Sequence, residues 1–346
     1  MTDIQSQFPE TTDQLDDLLS TPDQRVVRTM ELMEGDIVVL GVGGKMGPTF
    51  ARMLRRATEL AGRPRRIFGV SRFGSRGLQE KLETWGVETI ACDVLDEPSV
   101  EQLPDVANVV SMLGYKFGAA RNPALTWAMN CYVPAVISRR YRASQITAFS
   151  SGNVYGNVAV ESGGSVETDV PKPVGEYAFT VLGRERIYEH FSRRQRTPMT
   201  LLRLNYATEL RYGVLVDLAQ QVHRGTPIDL AMGYVNVIWQ RDANAMAANA
   251  LSFTDTPPRI LNIAGEEILP VRDVCTEFGR QMNVPVKFVG AEASNALLNK
   301  ATQNYEELGK PTKSAGEMIA WTARWVMEGG ETLGKPTHFA SRDGTF

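Results

Sequence analysis

The sequence predicts an α/β fold in which a doubly wound parallel sheet carries a smaller, mainly helical C-terminal lobe. Three observations lead to this prediction. Short apolar segments alternate with amphipathic ones from residue 36 to about residue 205, a glycine-rich turn joins the first of them to a long helical pattern, and the alternation is interrupted after Leu204. Strands separated by helical segments require right-handed crossovers and therefore a parallel sheet.

The composition indicates a globular protein, with 43% hydrophobic and 22% charged residues among 346. A formal net charge of -3 leaves no large positive field to attract nucleic acid or an anionic membrane, so we expect neither as a partner. The 3 cysteines and 3 histidines lack metal-ligand or disulfide spacing, so we expect no metal. Because there is no signal-peptide pattern and no apolar run of about 18 residues, we expect a cytoplasmic protein.

The predicted elements divide the chain into four parts. These are an N-terminal extension (1–34), a sheet domain (35–205) completed by a strand near 259–264, a mainly substrate-binding lobe (206–330) and a tail (331–346). The predicted strands cover 37–40, 66–70, 88–92, 108–113, 145–150, 199–204 and 259–263. The predicted helices cover 44–59, 78–85, 122–141, 177–193, 215–224, 242–253, 271–282 and 315–328.

The turn after the first predicted strand has the glycine spacing of a phosphate-binding loop. Gly41 permits the tight turn, Gly44 lets the backbone approach a phosphate, and Gly47 allows the helix to pack closely on the strand. The helix N-terminus adds amides and a partial positive charge. The turn, including Lys45 and Met46, therefore predicts a Rossmann-type site for the pyrophosphate of a dinucleotide.

The end of the second predicted strand bears on the choice of dinucleotide. Ser71 and Arg72 stand there, without the acidic residue that binds the ribose of NAD. A guanidinium suits a 2′-phosphate through charge-assisted bonds, and Lys45 and Arg76 could add positive charge. We predict that NADP is preferred and that NAD is possible.

Further cofactor contacts are predicted where later strands end, because ligands of parallel sheets bind at the carboxyl ends of strands. Asp93 and Val94 follow the third strand and flank the adenine, unless Asp93 caps the next helix instead. Leu113 and Gly114 after the fourth strand and Asn205 after the sixth are the other predicted contacts.

The order of these motifs resembles the extended (atypical) short-chain dehydrogenase/reductase family of sugar epimerases and dehydratases. The similar segments are the GxxGxxG turn, 149–156 (an SSxxVYG strand end), 173–185 (a PxxxY helix), 203–206 (a shortened RxxNxYG turn) and 261–266 (a late NIG strand). The resemblance spans about 40–325. It implies hydride transfer between a nicotinamide and a hydroxyl or keto group of a sugar-like molecule, either as net oxidation or reduction or as a transient step of epimerisation or dehydration.

The resemblance also implies a catalytic serine, tyrosine and lysine. Ser151 would hydrogen-bond the substrate oxygen, and Tyr177 would exchange a proton with it and contact the cofactor. The lysine is expected four residues after the tyrosine, where this chain has Val181. Glu185 matches the family's glutamate and supports this register.

Three interpretations of the missing lysine stay open. Another cation replaces it, and Lys116, just beyond the fourth strand, is a better candidate than Arg184, which lies roughly 10 Å along the helix axis from Tyr177. Alternatively, the reaction is a variant in which the phenol stays neutral or hydride transfer needs less base assistance. In the third interpretation, the chain is a non-catalytic NADP-binding regulatory protein.

The substrate side departs from the family as well. Where sugar-nucleotide enzymes carry an arginine for the substrate pyrophosphate, this chain has Asn236, which implies a free sugar, sugar acid or small polyol. Four residues after the sixth strand offer groups for hydroxyls or a carboxylate, unless they serve as helix caps and surface charges: Tyr206, Thr208, Glu209 and Arg211.

The predicted helix 122–141 has two implied roles. The resemblance implies a homodimer formed through paired helices, with Trp127 and Ile137 at the interface. Asn130 matches the family's asparagine on this helix, which supports the active site.

Overall fold

The computed structural model describes residues 7–74, 77–116 and 118–345. Its centre is a sheet of seven strands in the order β7-β6-β5-β4-β1-β2-β3, all of them parallel. The strands are β1 (Ile37–Leu40), β2 (Ile67–Ser71), β3 (Glu88–Ala91), β4 (Asn108–Ser111), β5 (Gln145–Ser151), β6 (Met199–Leu204) and β7 (Arg259–Ile263). This confirms the predicted fold class and places each predicted strand within a few residues.

The two faces of the sheet pack against different cores, which explains why β1 is apolar at every position. Ile37 and Val39 belong to one buried cluster, whereas Val38 and Leu40 belong to another on the opposite face. A strand covered on both sides has no solvent-facing position, so its residues do not alternate with polar ones.

Thirteen α-helices surround the sheet in the described part of the chain. They are α1 (Thr12–Leu19), α2 (Gln24–Leu32), α3 (Gly47–Leu60), α4 (Leu78–Thr84), α5 (Glu97–Glu101), α6 (Pro123–Trp127), α7 (Val133–Arg140), α8 (Gly175–Gln195), α9 (Val214–His223), α10 (Gln240–Asn249), α11 (Val271–Met282), α12 (Tyr305–Leu308) and α13 (Ala315–Met327). A π-helical turn, Ala128–Tyr132, joins α6 to α7, so the predicted helix 122–141 is interrupted. The short helices α5 and α12 were not predicted.

The C-terminal part of the chain builds a separate apolar core around α9, α11 and α13. Helix α1 contributes Leu15, Leu18 and Leu19 to this core, whereas α2 packs on α3 and α10 beside the sheet. The N-terminal extension therefore joins both cores. Among the described helices, none combines the length and apolar character needed to span a bilayer.

Candidate active site

A cavity of about 650 Å³ opens at the carboxyl ends of β1, β4, β5 and β6. The glycine turn forms one wall, and the start of α8, the segment after β6 and part of the C-terminal tail form the others. This volume lies in the range of small-molecule and cofactor sites, roughly 300–1,000 Å³. The cavity also occupies the edge of the sheet at which parallel α/β folds bind ligands.

The glycine turn has the conformation that a phosphate site requires. Gly41 has a φ of +84°, in the left-handed region that favours glycine, and a Cβ on Gly47 would lie 2.3 Å from the carbonyl oxygen of Val42. Helix α3 begins at Gly47, later than predicted, and no side chain caps its N-terminus. Gly44 is exposed, so a ligand phosphate can approach the backbone of the turn.

The predicted catalytic pair is brought together at the opposite wall. Ser151 ends β5, Tyr177 lies in the first turn of α8, and their hydroxyl groups are hydrogen-bonded. The Ser151 oxygen also accepts a bond from the Asn153 side chain at 2.9 Å. Burial raises the pKa of the Tyr177 phenol, while the charge of Arg184 and the bond to Ser151 lower it.

The position expected to carry the lysine holds no charge. Val181 is fully buried in a small apolar cluster with Val154 and Tyr155. Lys116 approaches from the end of β4, and its Nζ lies 5.7 Å from the centroid of the Tyr177 ring. Burial lowers the pKa of Lys116 to about 8, and the charge of Asp217 partly opposes this.

Arg184, which the sequence analysis ranked below Lys116 because of its distance along the helix, also lines the cavity. Its guanidinium donates to the carbonyl oxygen of Phe149 at 2.9 Å and to Oδ1 of Asn130. Long side chains on a helix point back toward its N-terminus, which brings this charge toward Tyr177. The charge of Arg184 therefore acts on the phenol, whereas Lys116 lies over the face of the ring.

Asn130 connects the segments that carry these groups. It is fully buried in the π-helical turn, and its Oδ1 accepts from the Tyr115 amide at 2.9 Å. Its Nδ2 donates to the Tyr115 carbonyl oxygen at 3.1 Å and to Thr180 Oγ1 at 2.8 Å. The side chain thus ties the segment after β4, including Lys116, to helix α8.

A second group of charges lies nearer the lobe. The Nζ of Lys45 lies 3.1 Å from the centroid of the Tyr212 ring. Burial, followed by the charges of Lys116 and Lys335, lowers the pKa of Lys45 to about 6, and Asp217 opposes this. The tail that carries Lys335 is held by Thr337, which donates to Asp217 from its amide and its hydroxyl at 2.7 and 2.6 Å.

Residues 37–231, more than half of the chain, match the model of the NAD dependent epimerase/dehydratase family. The chain belongs to this family. The resemblance inferred from the motifs is thereby confirmed. No curated protein sequence matches the chain at a significant level.

Solved epimerases and dehydratases share the fold of this family member at low sequence identity. UDP-glucuronic acid 4-epimerase from Bacillus cereus, in complex with UDP-glucuronic acid and NAD, is 15% identical with a TM-score of 0.71, covering 85% of this chain and 99% of that one. dTDP-glucose 4,6-dehydratase from Streptomyces venezuelae, with NAD bound, is 17% identical with a TM-score of 0.71 and coverages of 85% and 97%. UDP-glucose 4-epimerase from Thermotoga maritima, with UDP-glucose, is 17% identical with a TM-score of 0.68 and coverages of 85% and 99%.

In this epimerase/dehydratase family member, most of the predicted cofactor residues line the cavity. They are Gly41, Gly44, Lys45, Met46, Gly47, Leu113, Gly114, Tyr177 and Asn205. Those predicted for the adenosine half, Ser71, Arg72, Asp93 and Val94, stand outside its lining at the ends of β2 and β3. Ser71 abuts the turn, since a Cβ on Gly43 would lie 2.4 Å from its Oγ.

Arg72 and Asp93 contact each other at the surface. The Arg72 side chain is 75% exposed, and its Nη1 lies 3.9 Å from Oδ2 of Asp93. Asp93 does not cap the next helix, because Asp96 holds the N-cap position of α5 and Asp93 instead accepts from the amide of Leu95 at 3.1 Å. Arg76 lies outside the described residues.

Several predicted substrate-side residues are structural. Tyr206 and Arg211 line the cavity, but Thr208 and Glu209 are buried outside its lining, and Glu209 accepts from the Arg211 side chain at 3.1 Å. Asn236 is buried too. It accepts from the Asn205 side chain at 2.9 Å and donates to the Gly265 and Asn299 carbonyl oxygens at 2.9 and 2.6 Å.

The sequence analysis missed several residues of the cavity wall. Asp16 of the N-terminal extension lies there, paired with Lys81 at 2.6 Å and with Arg211 at 2.9 Å. Tyr212 and Lys335 were also missed. The signal for the tyrosine was a tyrosine–glycine pair, Tyr212 and Gly213, that follows the shortened motif at 203–206, which has none of its own.

Proposed function

We propose that this chain is an NAD(P)-dependent oxidoreductase or epimerase/dehydratase that acts by hydride transfer on a hydroxyl or keto group of a sugar-like small molecule. The observation that carries the proposal is the hydrogen-bonded pair of Ser151 and Tyr177 across the cavity from the glycine turn. A dinucleotide fits the turn, because exposed glycine backbone and an uncapped helix N-terminus face the same space. When bound, the nicotinamide accepts or donates the hydride.

The residues of the chain handle the proton. Ser151 orients the substrate oxygen by a hydrogen bond, and Tyr177 takes the proton from the hydroxyl group or returns it to the carbonyl oxygen. Burial disfavours the phenolate, so a nearby positive charge is needed to stabilise it. We assign this role first to Lys116, with Arg184 as the second cation, in place of a lysine at Val181.

Turnover assays with variants test this assignment. We would incubate the protein with NAD or NADP and a panel of sugars, sugar acids and polyols, following nicotinamide absorbance, and analyse products because an epimerase regenerates its cofactor. Tyr177→Phe is expected to lower kcat by about 10²-fold or more and to retain cofactor binding. Tyr234→Phe, a tyrosine outside the cavity lining, is the matched control.

The pH dependence of kcat separates the interpretations of the missing lysine. Lys116→Met is expected to raise the apparent pKa of the basic group, and Lys116→Arg to restore it in part, since an electrostatic role needs only the charge. If Lys116→Met and Arg184→Met both keep the wild-type pH profile of kcat, the remaining interpretation is the variant reaction, in which no cation assists the phenol. Nucleotide binding without any turnover across the panel would instead favour the regulatory protein.

We also propose that NADP is the preferred cofactor. The exposed guanidinium of Arg72 at the end of β2 is available to a 2′-phosphate, beside Ser71 and the glycine turn. NADP is then expected to raise Tm more than NAD, and Arg72→Ala to erase the difference. Equal protection of the wild-type protein by the two nucleotides would contradict this preference.

A homodimer is proposed as the assembly. Trp127, Tyr132 and Phe179 are large apolar residues exposed on the adjacent segments of α6, the π-helical turn and α8. Ile137, the other residue expected at the interface, is fully buried within the subunit and cannot contribute to it. Phe179→Glu should yield monomers in sedimentation velocity, whereas Val289→Glu, at an exposed apolar residue of the lobe, should not.

A further inference from the structure

The C-terminal tail runs along the substrate side of the cavity. The amide of Leu333 donates to the Arg211 carbonyl oxygen at 2.9 Å. The amide and the hydroxyl group of Thr337 donate to Asp217 of α9. Because Leu333 and Thr337 both line the cavity, the tail forms one wall of the candidate active site.

Beyond the cavity, the tail is anchored in the lobe. The ring of Phe339 is buried in the apolar core built around α9, α11 and α13. The Arg342 guanidinium donates to the carbonyl oxygens of Ala231 and Asn295, at 2.9 and 3.1 Å, and to Oδ1 of Asn295. A planar guanidinium bonded to two separate segments fixes the course of the tail at this point.

The end of the tail contacts the start of α8. Gly344 lies against Val174 and Gly175, where this helix begins. A Cβ on Gly175 would lie 2.6 Å from the carbonyl oxygen of Gly344, and a Cβ on Gly344 would collide with the carbonyl oxygen of Val174. Gly175 and Gly344 have φ values of +79° and +75°. The two backbones therefore approach each other in a way that only glycine accommodates without strain.

Tyr177 lies two residues beyond this contact. Its phenol must stay hydrogen-bonded to Ser151 for the proposed proton transfer. Helix ends are prone to fraying, and no side chain caps the N-terminus of α8. A tail that is fixed by Arg342 and packed on Gly175 limits the movement of this first turn. Misplacing a reacting group by about 1 Å can cost about 10²-fold in rate.

We propose that the C-terminal tail positions Tyr177. In this proposal Arg342 fixes the tail to the lobe, and Gly344 holds the start of α8 so that the phenol meets Ser151. Neither Arg342 nor Gly344 is among the described residues that line the cavity, so both are positioning residues. The expected effect on rate rests on the proposed function, because it assumes proton transfer by Tyr177, whereas the expected effect on the place of the phenol does not.

Fluorine NMR of the protein labelled with 3-fluorotyrosine tests the place of the phenol without turnover. The chain has 10 tyrosines, and the Tyr177 resonance is assigned by its loss in Tyr177→Phe. The test variant is Gly344→Ala, whose Cβ would push the tail away from α8. We expect it to shift the Tyr177 resonance and to lower kcat by about 10-fold, while nucleotide affinity stays that of the wild type.

The matched control is Gly329→Ala. Gly329 lies just before the tail and has a φ of +70°, but a Cβ there would have nothing within 4 Å. This variant adds similar backbone strain without the contact with α8, so its Tyr177 resonance and its kcat should be those of the wild type. A wild-type Tyr177 resonance in Gly344→Ala, or the same shift in both glycine variants, would overturn the proposal.

Arg342→Met keeps the proposal testable if Gly344→Ala does not fold, because it removes the anchor without adding a clash. It should also shift the Tyr177 resonance, and a wild-type resonance in this variant would overturn the proposal as well. Shifted resonances together with no turnover by the wild type on any substrate of the panel would support the positioning of Tyr177 and contradict the proposed hydride transfer.

Discussion

The buried ion pair between Arg203 and Glu185 should make Glu185→Gln a severe substitution. The two side chains are each 2% exposed, with Nη2 2.7 Å and Nε 2.9 Å from the carboxylate oxygens, and Ser150 donates to the same carboxylate. The variant leaves the guanidinium buried without its counter-charge. Removing one partner of such a pair costs about 3–5 kcal/mol.

Equilibrium unfolding in urea, followed by circular dichroism, measures this cost. With an m-value of about 3 kcal/mol/M, the expected loss lowers the midpoint by roughly 1–1.7 M. The control is Glu189→Gln on the same helix, whose partner Arg193 lies 3.0 Å away with a side chain 58% exposed. An exposed pair of this kind contributes about 1 kcal/mol or less.

A double substitution separates the lost charge from the lost packing. Glu185→Met/Arg203→Met removes both charges, so it should recover most of the stability that Glu185→Gln loses, because two apolar side chains of similar size need no counter-charge. Equal midpoints for Glu185→Gln and Glu189→Gln would refute the reasoning. A double variant as unstable as the single one would show that the hydrogen bonds of the network, rather than the unpaired charge, dominate.

Two further predictions concern the turn and the extension. Gly47→Ala should destabilise the protein by about 1–3 kcal/mol and weaken NAD binding, because its Cβ would meet the Val42 carbonyl oxygen, whereas Gly316→Ala, with open space around it in α13, should be neutral or slightly stabilising in the same urea assay. Asp16→Asn should speed limited proteolysis of the N-terminal extension, because it removes the charge shared by Lys81 and Arg211, and an unchanged cleavage rate would show that apolar packing alone holds α1.

The sheet and the phosphate turn were predictable because their signals are local. A strand buried on both faces must be apolar throughout, as β1 is, and the turn at Gly41 and Gly47 requires glycine for conformational and steric reasons that are visible in the spacing. The pairing of Ser151 with Tyr177 was implied by the family resemblance, and it arises in the structure because the end of β5 and the start of α8 reach the same edge of the sheet.

The other walls of the cavity could not be predicted, because they are formed by segments that are distant in the sequence from the sheet and the turn. Nothing near Asp16 or Lys335 in the sequence shows that the extension and the tail both reach the cavity. Asp16 meets Arg211 across 195 residues, and the tail is held by hydrogen bonds from Leu333 to Arg211 and from Thr337 to Asp217. Arg184 was ranked below Lys116 for a different reason. Spacing along the helix gives the position of its Cα, but the long side chain covers much of the remaining distance.

Because the tail contributes to the cavity, the proposed nucleotide site and the proposed substrate site are built from different parts of the chain. The glycine turn follows β1 of the central sheet, and a side chain at Gly47 would meet the Val42 carbonyl oxygen, whereas Lys335 lies on a tail segment that is hydrogen-bonded through Leu333 and Thr337. Substitutions in the tail can therefore change which substrates the proposed site accepts without altering the turn that is proposed to bind the nucleotide. Substrate range could diverge among relatives of this chain while their cofactor machinery stays the same.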